Sequence, residues 1–151
     1  MELHAVGSGQ GRHQMWLYRP VSLEGELRRL NRNMIAFDLA LGTGALFFPA
    51  QTLQVLGHAE PSEDAEHLFR RCGPIWLTFA AAHVIADRSG RSRDWWALSW
   101  LRATELLTDV VWSRSASFSA RGRAGMIFAG ASNLAMTLGF AHLARTGGTS
   151  R

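Results

Sequence analysis

Three charged side chains stand inside one apolar run, WLRATELLTDVVW: Arg102, Glu105 and Asp109. Spacings of three and four place them on one stripe of a helix, within about 60° of arc, and Ser99 joins that stripe. One guanidinium beside two carboxylates leaves a deficit of one positive charge. In an apolar setting a proton, an ion, a substrate or another helix has to settle it. Asp38 stands in another apolar run and completes the candidate polar cluster: Asp38, Ser99, Arg102, Glu105, Asp109. An Asp38–Arg102 or a Glu105–Arg102 ion pair is the expected internal tie. A structural tie comes first among the readings, and a transport site second.

The histidines form a second candidate. His83 lies four residues before Asp87, and His142 three before Arg145. Both are expected at one depth of a helical bundle. Two imidazoles facing each other there would ligate a haem, or each would bind a chlorin of a neighbouring complex. Structural hydrogen bonding is the default for both. Cys72 stands alone beside Gly73, which excludes a disulfide framework and a cysteine-based zinc site. The chain lacks a P-loop, G-x-G-x-x-G, H-E-x-x-H, C-x-x-C and G-x-S-x-G. No catalytic residue and no metal ligand is therefore assigned, and a non-enzymatic role is the expectation.

The elements that must position these residues are four apolar blocks: Met34 to Gly57, Pro74 to Ala86, Trp95 to Ser113, and Gly125 to Ala144. A bilayer core of about 30 Å needs roughly 20 helical residues. Three blocks reach that length, and the second borrows its flanks. The predicted fold is all-α, a four-transmembrane-helix bundle. Trp95 and Trp96 open the third block and Trp112 closes it. The helix between them spans about 25 Å, which suits aromatic belts at two membrane interfaces, and Trp76 opens the second block in the same way. Small-residue stripes at four-residue steps, Ala36, Ala40 and Gly44, then Gly125, Ala129, Asn133 and Thr137, suit close helix packing within the chain or against another subunit. The competing reading is a soluble helical bundle that carries its charges on a solvated face.

Before the first block lies an arm, residues 1–33. Gln14 to Arg19 is aromatic and basic, and Ser22 is placed to cap a helix. Leu23, Leu27, Leu30 and Met34 share one face of that helix, with Arg28, Arg29 and Arg32 off it. This predicts an amphipathic interfacial helix running into the first block. The four-helix domain then covers 34–145 and a tail 146–151. No cleavable signal peptide is expected, because the first apolar block begins too late. Loop arginines number ten on the side of the termini (Arg12, Arg19, Arg28, Arg29, Arg32, Arg88, Arg91, Arg93, Arg145, Arg151) against five on the other (Arg70, Arg71, Arg114, Arg121, Arg123). The positive-inside rule puts both termini in the cytoplasm.

Composition alone points elsewhere. The chain has 151 residues, enough for one domain. Its mean hydropathy of −0.03 suggests a soluble protein, and its pI near 10.9 suggests nucleic acid. Yet the average conceals the four blocks, and the arginines are scattered through loops where they suit anionic headgroups. No nucleic-acid partner is expected. All sixteen basic residues are arginine, a bias of high-GC and bacterial coding.

The runs LALGTGALFFPAQTLQVLGH, RRCGPIWLTFAAAHVIADR and WLRATELLTDVVW resemble small bacterial four-helix membrane proteins of the DoxX-like type over residues 34 to 144. The resemblance implies a four-helix membrane bundle and transfers no catalytic residue; the long arm departs from that pattern. The expectation is an accessory or scaffold subunit of a larger complex, photosynthetic or respiratory, in the bacterial inner membrane. Its partners would be lipid and other membrane subunits. The alternative is a small transporter, or a haem- or pigment-binding redox carrier, that uses the intramembrane polar cluster.

Overall fold

A computed structural model describes residues 22–58, 60–116 and 118–147. The Gln14 to Arg19 run and most of the tail lie outside them. Every regular element among the described residues is helical: α1 (Leu23–Phe47), α2 (Pro49–Val55), α3 (Glu63–Ser89), α4 (Ser92–Trp112) and α5 (Ala120–Thr146).

Local chemistry sets the boundaries. Ser22, Ser62 and Ser119 cap α1, α3 and α5, each hydroxyl accepting a backbone N–H of the first turn at 3.1 to 3.2 Å. Glu24 and Glu26 in α1, and Glu63, Asp64 and Glu66 in α3, put negative charge at the positive end of the helix dipole. The first apolar block does not form one helix. Phe48 leaves helical geometry and Pro49, which has no N–H to continue the ladder, starts the short α2. Pro74 is instead accommodated inside α3, where the Thr78 hydroxyl donates to its carbonyl at 2.8 Å. The short second block thus becomes part of a 27-residue helix.

The four long helices form a ring in chain order, in which α1 packs along α3 and α4 along α5. Neighbours are antiparallel. Asn31 meets His83 while Gly42 abuts Gly73, and Ser92 reaches the Ala144 carbonyl while Asp109 meets Asn133. A Cβ on Gly42 would lie 2.9 Å from the Gly73 carbonyl oxygen, so α1 and α3 touch backbone to backbone there. Gly57 has φ +106° and its Cβ position lies 2.3 Å from the Gly122 Cα, so both space and conformation require glycine.

One end of the ring holds the apolar core: Ala86, Trp95, Leu98, Met136, Phe140, Leu143 and Ala144. Leu27, Leu30 and Met34 pack against it, while Leu23 is exposed. The predicted surface helix is therefore the first turns of α1, and its stripe faces the bundle rather than a separate surface. The tryptophan expectation also needs correction. Successive residues on a helix point about 100° apart, and here that rotation turns Trp95 inward and Trp96 outward. Trp95 is fully buried against Phe140 and beneath the Arg28 guanidinium, whereas Trp96 and Trp112 are exposed.

The outer surface is apolar along much of the ring. Phe37 and Leu39 on α1, Ile75 and Ile85 on α3, Trp100 and Leu107 on α4, and Phe128 and Leu138 on α5 are all exposed. Among the described residues α5 alone is long and apolar enough to cross a membrane, and only 28% of its most apolar stretch is buried. The other long helices carry ionic or strongly polar side chains within their apolar stretches: Asp38 in α1, His83 in α3 and the Arg102 stripe in α4.

Candidate functional site

The interior of the ring also holds polar side chains. Asn31, Asp38, His83, Ser99, Arg102, Asp109 and Asn133 are all buried. On α1, Asn31, Asp38 and Ala45 recur every seven residues, two turns apart, which turns all three to the interior. On α4, Ser99, Arg102 and Asp109 do the same, as their spacing predicts.

Arg102 is the centre. Its Nη2 donates to Asp38 Oδ2 and lies 2.6 Å from His83 Nε2. On the far side of the imidazole, His83 Nδ1 lies 2.6 Å from Asn31 Oδ1, and Asn31 Nδ2 donates to the His83 carbonyl at 3.1 Å. These contacts assign every role. The Asn31 amide is oriented by its donated bond, so its oxygen accepts the Nδ1 proton. Nε2 is then bare and accepts from Arg102, and the imidazole is neutral. The His83 ring meets the edge of Phe140 at 5.6 Å, and the Arg102 guanidinium lies 5.6 Å from the Phe79 ring. Three helices, α1, α3 and α4, are thus tied by one network between two aromatic rings. Burying such a pair gains little net stability, but removing one partner costs about 3–5 kcal/mol.

Of the two ion pairs expected for Arg102, the structure forms the one with Asp38. Glu105 is half-buried and makes no ion pair among the described residues. Asp109 belongs to a second, smaller set between α4 and α5, where it accepts from Asn133 Nδ2 at 2.8 Å. Ser99 donates to the Thr137 carbonyl at 2.8 Å, a further α4–α5 tie.

The histidine pair is not assembled. His83 is fully buried, whereas His142 is exposed on α5, so the two do not face one cavity. The expected haem ligation by both has no geometric basis. Among the described residues no group of three His, Cys, Asp or Glu is placed to hold a metal ion. Cys72 gives its thiol to the Leu68 carbonyl at 3.5 Å.

The small-residue stripes are only partly at helix contacts. Asn133 is buried, but Ala36, Ala40 and Gly125 are exposed and Gly44, Ala129 and Thr137 are intermediate. The close approaches use Gly42 and Gly73, and Gly57 and Gly122, in their place. Asn31 is the site residue that sequence reasoning missed. It lies in the polar arm, and its signal is the seven-residue step to Asp38.

Compared with known proteins, the chain matches no family model, no curated protein and no solved structure.

Proposed function

We propose that this chain is a four-helix integral membrane protein with a non-enzymatic role as an accessory or scaffold subunit of a larger membrane complex. The observation that carries the reading is the apolar outer surface of the ring, with large side chains of all four long helices exposed while Asp38, His83 and Arg102 are paired inside. In water such an outer surface costs about 25 cal/mol per Å² of apolar area left exposed, and monomeric soluble proteins seldom tolerate large contiguous patches. In a bilayer the same surface is solvated, and the Asp38–Arg102 pair takes the inward position that an intramembrane charge needs. Trp96, Trp100 and Trp112 on the outside of α4 suit interfacial and lipid contact.

A structural role is favoured over transport by the bonds that join buried side chains of three helices, although Asp38 Oδ1 and Arg102 Nε have no hydrogen-bond partner among the described residues. Asp38, Arg102, His83 and Asn31 are bonded to one another. That arrangement fixes three helices in register. The arginine asymmetry supports cytoplasmic termini and a bacterial inner-membrane location, and the DoxX-like resemblance supports the same bundle.

The test has two steps. After alkaline carbonate washing, the protein stays in the membrane pellet; its release into the supernatant contradicts the membrane reading. In mild detergent the native protein then migrates with other chains. Migration as a free monomer contradicts the subunit reading.

A further inference from the structure

Asp38 has an ion-pair partner in Arg102, whereas the second acidic position has none among the described residues. Asp109 is among the residues that line a groove of about 200 Å³ between α4 and α5. Its walls are apolar, with Leu106 and Val110 from α4 and Ile127 and Leu134 from α5, and Gly130 and Ala131 leave the space. Asp109 is the groove's only charged side chain. The carboxylate receives one hydrogen bond, from Asn133, and has no ion pair among the described residues. Nearby donors are committed elsewhere. The Ser113 hydroxyl donates to the Val110 carbonyl at 2.9 Å, and Arg102 Nη2 is engaged by Asp38 and His83. Glu105, one turn away, adds negative charge rather than neutralising it. Arg123, one turn before Ile127 on α5, lies beside the groove but does not line it.

An ionised carboxylate accepts about four hydrogen bonds, and a cationic donor in the groove would favour that ionised form. The groove's apolar walls specify the rest of the ligand. An apolar cavity of about 150 Å³ holds benzene, so this groove takes a group of that size with a short charged extension. Its depth also fits. Asp109 lies three residues before the exposed Trp112, about 4.5 Å along the helix, near the interface where amphiphilic amines concentrate.

We propose that the α4–α5 groove is a binding site for a small hydrophobic primary ammonium, its N–H groups donating to Asp109 and its apolar body lying against Leu106, Val110, Ile127 and Leu134. Asn133, which does not line the groove, is a positioning residue that holds Asp109 Oδ2. The site goes beyond the scaffold role and does not use the Arg102 network.

The probe is benzylammonium, with benzyl alcohol as its neutral counterpart. Binding is read by saturation-transfer NMR on the detergent-solubilised full chain. Asp109→Asn keeps the shape and removes the charge, and weakens benzylammonium binding at least tenfold. Ala131→Leu fills the groove from an exposed position, keeps Asp109, and weakens it comparably. Glu105→Gln leaves it unchanged. Benzyl alcohol competes at least tenfold less well. Wild-type affinity in Asp109→Asn, equal competition by benzyl alcohol, or a larger loss in Glu105→Gln overturns the assignment. Recovery of the protein without detergent contradicts the membrane reading separately, and the same titration then runs in buffer.

Discussion

Replacing Arg102 by methionine removes a guanidinium and keeps much of the side-chain volume. Asp38 is then a fully buried carboxylate without its counter-charge, and His83 Nε2 loses its donor. The first loss costs about 3–5 kcal/mol. The second adds about 1–3 kcal/mol for a buried acceptor left unsatisfied. Asp38→Leu alone strands the guanidinium instead and costs a similar 3–5 kcal/mol. The double variant, Asp38→Leu with Arg102→Met, strands neither charge. Only the His83 acceptor remains, so the double costs about 1–3 kcal/mol rather than the sum of the singles. The coupling between the two positions is therefore several kcal/mol and opposite in sign to the single losses. Reversible denaturation in detergent, followed by tryptophan fluorescence, measures all three variants. Single losses below about 1 kcal/mol that simply add would refute the reasoning, because that is how an exposed, weak pair behaves.

Asn31→Leu removes both bonds to His83 and frees its Nδ1 proton, so the same measurement shows a loss of about 2–4 kcal/mol, two buried groups at 1–3 kcal/mol each less some recovered packing. Glu105→Gln, which breaks no ion pair, shifts stability by under about 0.5 kcal/mol despite its place on the charged stripe. Gly42→Val drives a side chain into the Gly73 carbonyl and Leu77; it lowers the melting temperature more than Ala40→Val, two residues away on an exposed position.

Much of this organisation was legible in the sequence where a period was unambiguous. The stripe of Ser99, Arg102 and Asp109 turns inward as its spacing predicts, and Asp38 meets Arg102 because a buried charge needs a partner. What failed was inference across elements. Nothing in the local sequence says that Asn31, seen as part of a polar arm, sits at the depth of His83. That depends on α1 running unbroken from Leu23 and antiparallel to α3. Two histidines at similar depth suggested a shared cavity, but helix rotation, not depth, decides what faces inward, and His142 is turned out. Alanine and glycine stripes at four-residue steps were poor guides to contact for the same reason. Ala36 and Ala40 suit close packing, yet α3 meets α1 along the face that carries Gly42 and Ala45. Pro49 and Pro74 are alike in sequence and opposite in effect, since only Pro49 follows a residue that has left helical geometry.

That the apolar outer surface of the bundle faces lipid is the central claim, and single-tryptophan variants reconstituted with brominated phospholipids test it most directly. Trp100 is 73% exposed on the outside of α4, and Trp95, five residues earlier on the same helix, is 0% exposed. Bromine quenches only on near contact, so the account predicts strong quenching at Trp100 and little at Trp95. Equal quenching of the two, or quenching of Trp95 alone, would contradict it.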